Sequence, residues 1–130
     1  MKQLKYLLIF WLLPISLLAN YIHWLGDYNT ALELAKKEHK PLLILVVKKD
    51  DNSSSKIIAN SFMNQPYIDD VNKKRVSVIV TYEGKSSYPI EMYYTTVFPT
   101  LFLVDTKTET FIKEPLYGEQ ITPKALLEYF

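Results

Sequence analysis

The chain has 130 residues, of which 48% are hydrophobic, 22% charged and 14% aromatic, with 15 basic against 14 acidic side chains and a net charge of +1. It contains no cysteine, which excludes disulfides, thiolate nucleophiles, zinc–thiolate sites and iron–sulfur clusters together. The length suits one domain, the apolar fraction is too high for a disordered chain, and the near-neutral charge leaves no electrostatic footprint for nucleic acid.

Lys2 and Lys5 precede an uncharged run from Tyr6 to Leu18, followed by Ala19 and Asn20. A basic start, a short apolar core and a small residue at the exit describe a secretory signal cleaved after Ala19. As a helix this run would span roughly 20 Å, short of the roughly 30 Å hydrocarbon core of a bilayer. Residues 1–19 are thus expected to be a leader and residues 20–130 the mature domain, secreted or released into the periplasm. An uncleaved leader would instead anchor the domain to the inner membrane, facing the periplasm. Removing Lys2 and Lys5 leaves 13 basic and 14 acidic side chains, a net of −1.

Asp27 predicts an N-cap for a helix over Tyr28–His39, whose apolar face is Ala31, Leu32 and Ala35. Lys36, Lys37 and Lys40 suit the negative end of its dipole, and Pro41 forbids continuation. Leu42–Val47 is apolar without alternation, the pattern of a strand buried on both faces. Lys48–Ser55 reads as a polar loop ending in capping residues, before a helix from Ser54 or Ser55 to about Asn64. Pro66 opens another helical turn through Asn72. Arg75–Tyr82 predicts a strand, Glu83–Ser87 a turn, and Pro89–Tyr94 a short helix. Leu101–Val104 and Thr110–Lys113 form a hairpin around Asp105–Thr108, Gly118 breaks the chain, and Pro123 opens a final helix to Phe130. Alternating strands and helices require right-handed crossovers and a parallel core, to which the late hairpin adds antiparallel strands. The fold class is therefore a three-layer α/β/α sandwich with a mixed central sheet.

Several fragments in this order carry a resemblance: Lys40-Pro41 before the buried strand, Phe98-Pro99-Thr100 before the apolar strand through Asp105, Tyr117-Gly118 after the hairpin, and the helix Lys124–Phe130. Across the whole mature domain the chain resembles the thioredoxin-like family, in particular its exported thiol reductases. Members carry Trp-Cys-x-x-Cys-Lys at the start of the helix after the buried strand. Counted forward from Pro41, that motif falls on Asp51-Asn52-Ser53-Ser54-Ser55-Lys56, with Asn52 and Ser55 where the two sulfurs would be. Thiol–disulfide exchange needs a thiolate and a partner sulfur, so this chain has lost the reaction. The resemblance further implies that Pro99 is cis and flanks a groove where the backbone of Phe98 pairs with an extended peptide, with Thr100 beyond it.

The candidate sites each have a plain structural alternative. Phe98, Pro99 and Thr100 form either a peptide groove or a turn kept for folding. Asn52, Ser53, Ser54 and Ser55, the degenerate redox positions, form either an anion-holding helix N-terminus with serine nucleophiles or an ordinary cap. Asn52-Ser53-Ser54 is also an Asn-x-Ser acceptor sequon, with Asp50 two residues before it as some bacterial glycosylation systems require. Tyr82, Tyr88, Tyr93 and Tyr94 supply either a recognition surface or core. His23 and Trp24 are expected to pack the entry to the first helix. Neither the two histidines, His23 and His39, nor Asp50 and Asp51 make a metal site, and no cofactor is implied.

The leading expectation is an exported, redox-inactive domain that binds a secreted protein or peptide, a thiol-redox partner among the options, through the Pro99 groove. Membrane contact follows only if the leader stays in place. The alternatives are a non-thiol enzyme at Ser53–Ser55 and a membrane-tethered structural subunit.

Overall fold

A computed structural model of the protein describes residues 20–85 and 87–130; the expected leader at residues 1–19 lies outside the described residues. The elements run β1 (Trp24–Leu25), α1 (Tyr28–Glu38), β2 (Leu42–Lys48), α2 (Asn52–Ser61), α3 (Ile68–Lys74), β3 (Val76–Tyr82), β4 (Thr100–Asp105), β5 (Thr110–Phe111), β6 (Leu116–Tyr117), a 3₁₀ turn (Gly118–Gln120) and α4 (Pro123–Tyr129). No helix among the described residues is long and apolar enough to cross a membrane.

Capping chemistry sets the limits of α1. The Asp27 carboxylate accepts from the Thr30 N–H at 2.9 Å and from the Thr30 hydroxyl at 2.7 Å, and these bonds hold its pKa below the usual carboxylate value. At the other end His39 turns left-handed (φ 57°) and the Lys40 N–H donates to the Ala35 carbonyl at 2.9 Å. The helix therefore closes one residue before His39.

The unbroken apolar run of β2 is explained by its place in the middle of the sheet, order β1-β3-β2-β4-β5. Parallel β3 lies on one side, with Leu43 opposite Ser77, and antiparallel β4 on the other, with Leu43 opposite Leu103. Side chains alternate across the pleat. Leu42, Ile44 and Val46 pack with Val78, Phe102 and the α1 residues Tyr28, Ala31 and Ala35. Leu43 and Leu45 pack with Leu101, Leu103 and the helices α2, α3 and α4 through Phe62, Ile68, Val71 and Leu126. Two cores on opposite faces of one mixed sheet make the expected three-layer sandwich.

Two pieces of the sheet were not expected from the sequence. Trp24 and Leu25 pair in parallel with Ser77 and Val78, and Trp24 stacks edge-on against Phe62 at 5.3 Å. Leu116 and Tyr117 pair with Leu101 and Thr100, while β5 covers the far end of β4 through Val104 and Asp105. The outer edge of β4 is thus covered at both ends by short strands, and the predicted strand Thr110–Lys113 shrinks to two residues.

Three helical limits also move. Helix α2 starts at Asn52 rather than at Ser54 or Ser55 because Asp51 caps it, and it ends at Ser61. The Pro66 segment becomes a turn before α3. Pro89–Tyr94 forms no helix. A single turn, with the Met92 and Tyr93 N–H groups both directed at the Pro89 carbonyl, gives way because Tyr93 is drawn into the core. So short a segment gains too few helical hydrogen bonds to resist that pull.

Candidate functional site

Strand β2 ends at Lys48, and the chain turns through Asp50 (φ 62°) into α2. The Asp51 carboxylate accepts from the Ser53 N–H at 2.9 Å and the Ser53 hydroxyl at 2.6 Å. Those bonds, helped by the charge of Lys48, hold the Asp51 pKa below the usual value. The four predicted positions now separate. Asn52 is exposed at the head of the helix, Ser53 is engaged by Asp51, Ser55 is exposed, and Ser54 is 4% exposed with its hydroxyl oxygen unpartnered among the described residues.

Of the two readings of Asn52–Ser55, this arrangement favours the ordinary cap. A carboxylate already sits on the Ser53 N–H in the first turn of α2, so a second anion there would meet like charge. No histidine accompanies the serines either. The cleft here, about 210 Å³, is lined by Lys48, Asp51, Asn52, Ser54, Ser55 and Ile58 among others, with neither histidine. His23 lies by α3, its N–H donating to Asn72 at 2.8 Å, and His39 caps α1. Among the described residues no group of three or more His, Cys, Asp or Glu is placed to hold a metal ion.

Pro99 lies at the same end of the sheet. Val46 pairs with Thr100, and the Lys48 ammonium sits 6.0 Å from the centre of the Phe98 ring. Lys48 therefore touches both the cleft of α2 and the Phe98–Pro99 segment. The Phe98–Pro99 peptide is cis. Two buried threonines hold the turn before it. The Val97 N–H donates to the Thr95 hydroxyl at 3.1 Å, and the Thr100 hydroxyl donates to the Val97 carbonyl at 2.6 Å. Beyond it, the Gly118 N–H donates to the Pro99 carbonyl at 2.7 Å. Gly118 needs its left-handed φ of 52°, and a Cβ there would lie 3.1 Å from Val97 Cγ1. Val97 and Pro99 are thus spoken for, whereas the N–H and C=O of Phe98 between them have no hydrogen-bond partner among the described residues.

Around this peptide group the tyrosines divide. Tyr93 is core, its hydroxyl 3.0 Å from that of Tyr28 and its ring against Phe102. Tyr82 and Tyr88 are half-buried against the same core, Tyr82 stacking on Phe98 at 5.3 Å. Tyr94 is 63% exposed, and Val97 and Tyr117 are exposed where the 95–98 segment passes Gly118. Residue types alone could not sort them, because the distinction lies in which rings meet the sheet. The structural roles of Thr95, Thr100 and Lys48 were likewise invisible in the sequence; Thr95-x-x-x-x-Thr100 is no motif until the turn brings the hydroxyls within 2.9 Å.

A cavity of about 610 Å³ lies at the opposite end of the sheet between the end of α1 and the β4–β5 turn. Lys36, Lys40 and Lys107 there face Asp105 and Glu109, with a long Lys36–Glu109 pair at 3.9 Å. It offers mixed charge and no convergent set of catalytic groups.

No family model matches the chain, and no curated protein matches it. Solved structures do. One described as "DsbH Oxidoreductase" is similar with a TM-score of 0.65 at 19% identity, over 84% of this chain and 81% of that one. A thioredoxin from Thermus thermophilus is similar with a TM-score of 0.63 at 15% identity, over 84% of both chains. The fold is thioredoxin-like, carried by a chain with no cysteine at the end of the sheet where β2 leads into α2.

Proposed function

We infer that this thioredoxin-like chain is an exported, redox-inactive domain that works by holding an extended segment of another protein or peptide in the Pro99 groove. Redox inactivity follows from composition, since electron transfer between dithiols needs sulfur on both sides. The observation that carries the binding reading is the unpaired peptide group of Phe98, held between two paired neighbours. An extended chain recognises such a group by adding main-chain hydrogen bonds, as in strand addition to a sheet edge. The exposed apolar groups Val97 and Tyr117 supply contact area beside it, and Tyr does so at small entropic cost. Export is supported by the basic and apolar leader, and the partner is accordingly a secreted protein or peptide, a thiol-redox partner among the candidates.

A photo-cross-linking amino acid placed at Val97 in the full chain, in cells, tests the groove. A discrete adduct is expected from Val97 and not from Leu127, which is 59% exposed on α4 in the other helical layer. The same adducts from both positions, or none from Val97, would overturn the reading. Neither alternative has a comparable observation behind it. The serine enzyme has no histidine beside its serines and its Ser54 hydroxyl is buried, and the tethered subunit turns on residues 1–19, where a mature mass beginning at Asn20 would remove it.

A further inference from the structure

The segment Asp50-Asp51-Asn52-Ser53-Ser54 divides between two uses by alternate residues. Asp51 and Ser53 serve the fold, as cap and capped group. Asp50, Asn52 and Ser54 do not. Asp50 occupies a left-handed conformation that favours glycine, Asn52 heads the helix without capping it, and Ser54 buries a hydroxyl that bonds to nothing among the described residues. Alanine would fill the place of Ser54 in a helix better than serine does, so the folded structure gives no reason for that hydroxyl. These three residues are the ones read in an acid-x-Asn-x-Ser acceptor sequon.

We propose that Asn52 is an N-glycosylation acceptor, and that the sugar is transferred before the domain folds. The donor is an oligosaccharide carried on a lipid pyrophosphate. The Asn52 amide nitrogen attacks the anomeric carbon, a carbon–nitrogen bond forms, and the bond from that carbon to the phosphate oxygen breaks. The lipid pyrophosphate leaves with the electron pair and the amide gives up one proton, so nothing is oxidised or reduced. The transferase must read the hydroxyl two residues on, and in the folded domain Ser54 is 4% exposed, its oxygen shut away. Asn52 itself stays exposed, so the finished domain accommodates the attached sugar at the mouth of the cleft it shares with Lys48 and Ser55. The proposal rests on the export reading but not on the Pro99 groove.

Mass spectrometry of the full chain isolated from its native cells tests both at once. The expected result is a mature chain beginning at Asn20 with a carbohydrate mass on the Asn52 peptide, lost in Asn52→Gln and in Ser54→Ala. A cleaved leader with unmodified Asn52 overturns the proposal alone; an intact leader with unmodified Asn52 overturns leader cleavage and release as well. Timing is read separately, by offering purified unmodified chain to an oligosaccharyltransferase with its lipid-linked donor. The folded chain is expected to react slowly, and Leu45→Ala, which opens a fully buried core position, at least about thirtyfold faster. Equal rates for the two would overturn transfer before folding.

Discussion

The paired hydroxyls of Tyr28 and Tyr93 give a quantitative test of how the 89–98 segment is held against α1. They lie 3.0 Å apart at residues 4% and 1% exposed, with the rings edge-on at 5.6 Å. Burial raises both phenol pKa values, that of Tyr93 the more strongly. Phenylalanine at either position keeps the ring packing and removes one hydroxyl, stranding the other without a second partner among the described residues. Such an orphan costs about 1–3 kcal/mol, whereas removing both partners together is close to neutral. Tyr28→Phe and Tyr93→Phe should each destabilise by about 1–2 kcal/mol, and the double variant by less than either single. That is a coupling of about 1–4 kcal/mol. Urea unfolding followed by tryptophan fluorescence measures all four corners of the cycle, and each kcal/mol should move the thermal midpoint by about 4 °C. Additive losses in the double variant would refute the pairing and with it the account of why Pro89–Tyr94 abandons its helix.

Two further outcomes are expected. Ser54→Ala in unmodified protein should be neutral or stabilising by about 1 kcal/mol, since it removes a buried unpartnered hydroxyl and improves helix propensity; a clear loss in urea midpoint would show that the hydroxyl is satisfied after all. Burial pushes the phenols of Tyr67 and Tyr129 up to about 12 from 10.0, so the folded state keeps protons that the unfolded chain releases. Their contribution is fully present below pH 10 and is lost as pH rises from 10 to 12, about 1.4 kcal/mol per pH unit for each. Urea midpoints that stay level from pH 9 to 11.5, or that fall equally in Tyr67→Phe, would contradict this.

What could be read in the sequence was what depends on near neighbours along the chain or on the identity of a residue. Asp27 capping Thr30 is a contact over three residues, Pro41 stops a helix by its own ring, and Leu42–Val47 declares a doubly buried strand by its lack of alternation. The expected layers and the mixed sheet followed from such features, whereas the place of the Pro99 segment was implied only by the family resemblance. What could not be read depends on distant partners. Trp24–Leu25 and Leu116–Tyr117 are strands only because Ser77 and Thr100 stand beside them, since two residues have no periodicity. The start of α2 moved to Asn52 because Asp51, Asn52 and the serines are all acceptable caps locally, and the geometry of the turn after β2 chose between them. Tyr93 left its predicted helix for a partner 65 residues away.

The absence of cysteine is complete in the sequence itself, and it alone rules out dithiol chemistry for this chain, because that chemistry resides in atoms the chain does not have. The condition of the residues at the degenerate motif is another matter. Asn52, Ser53, Ser54 and Ser55 look equivalent as letters, yet one is exposed, one is engaged by a carboxylate, one is buried without a partner and one is free at the surface. Likewise Phe98 is distinguished from Val97 and Pro99 only by which backbone groups Thr95, Thr100 and Gly118 reach. Burial and hydrogen-bond pairing are properties of where the rest of the chain lies, so only the tertiary structure decides them.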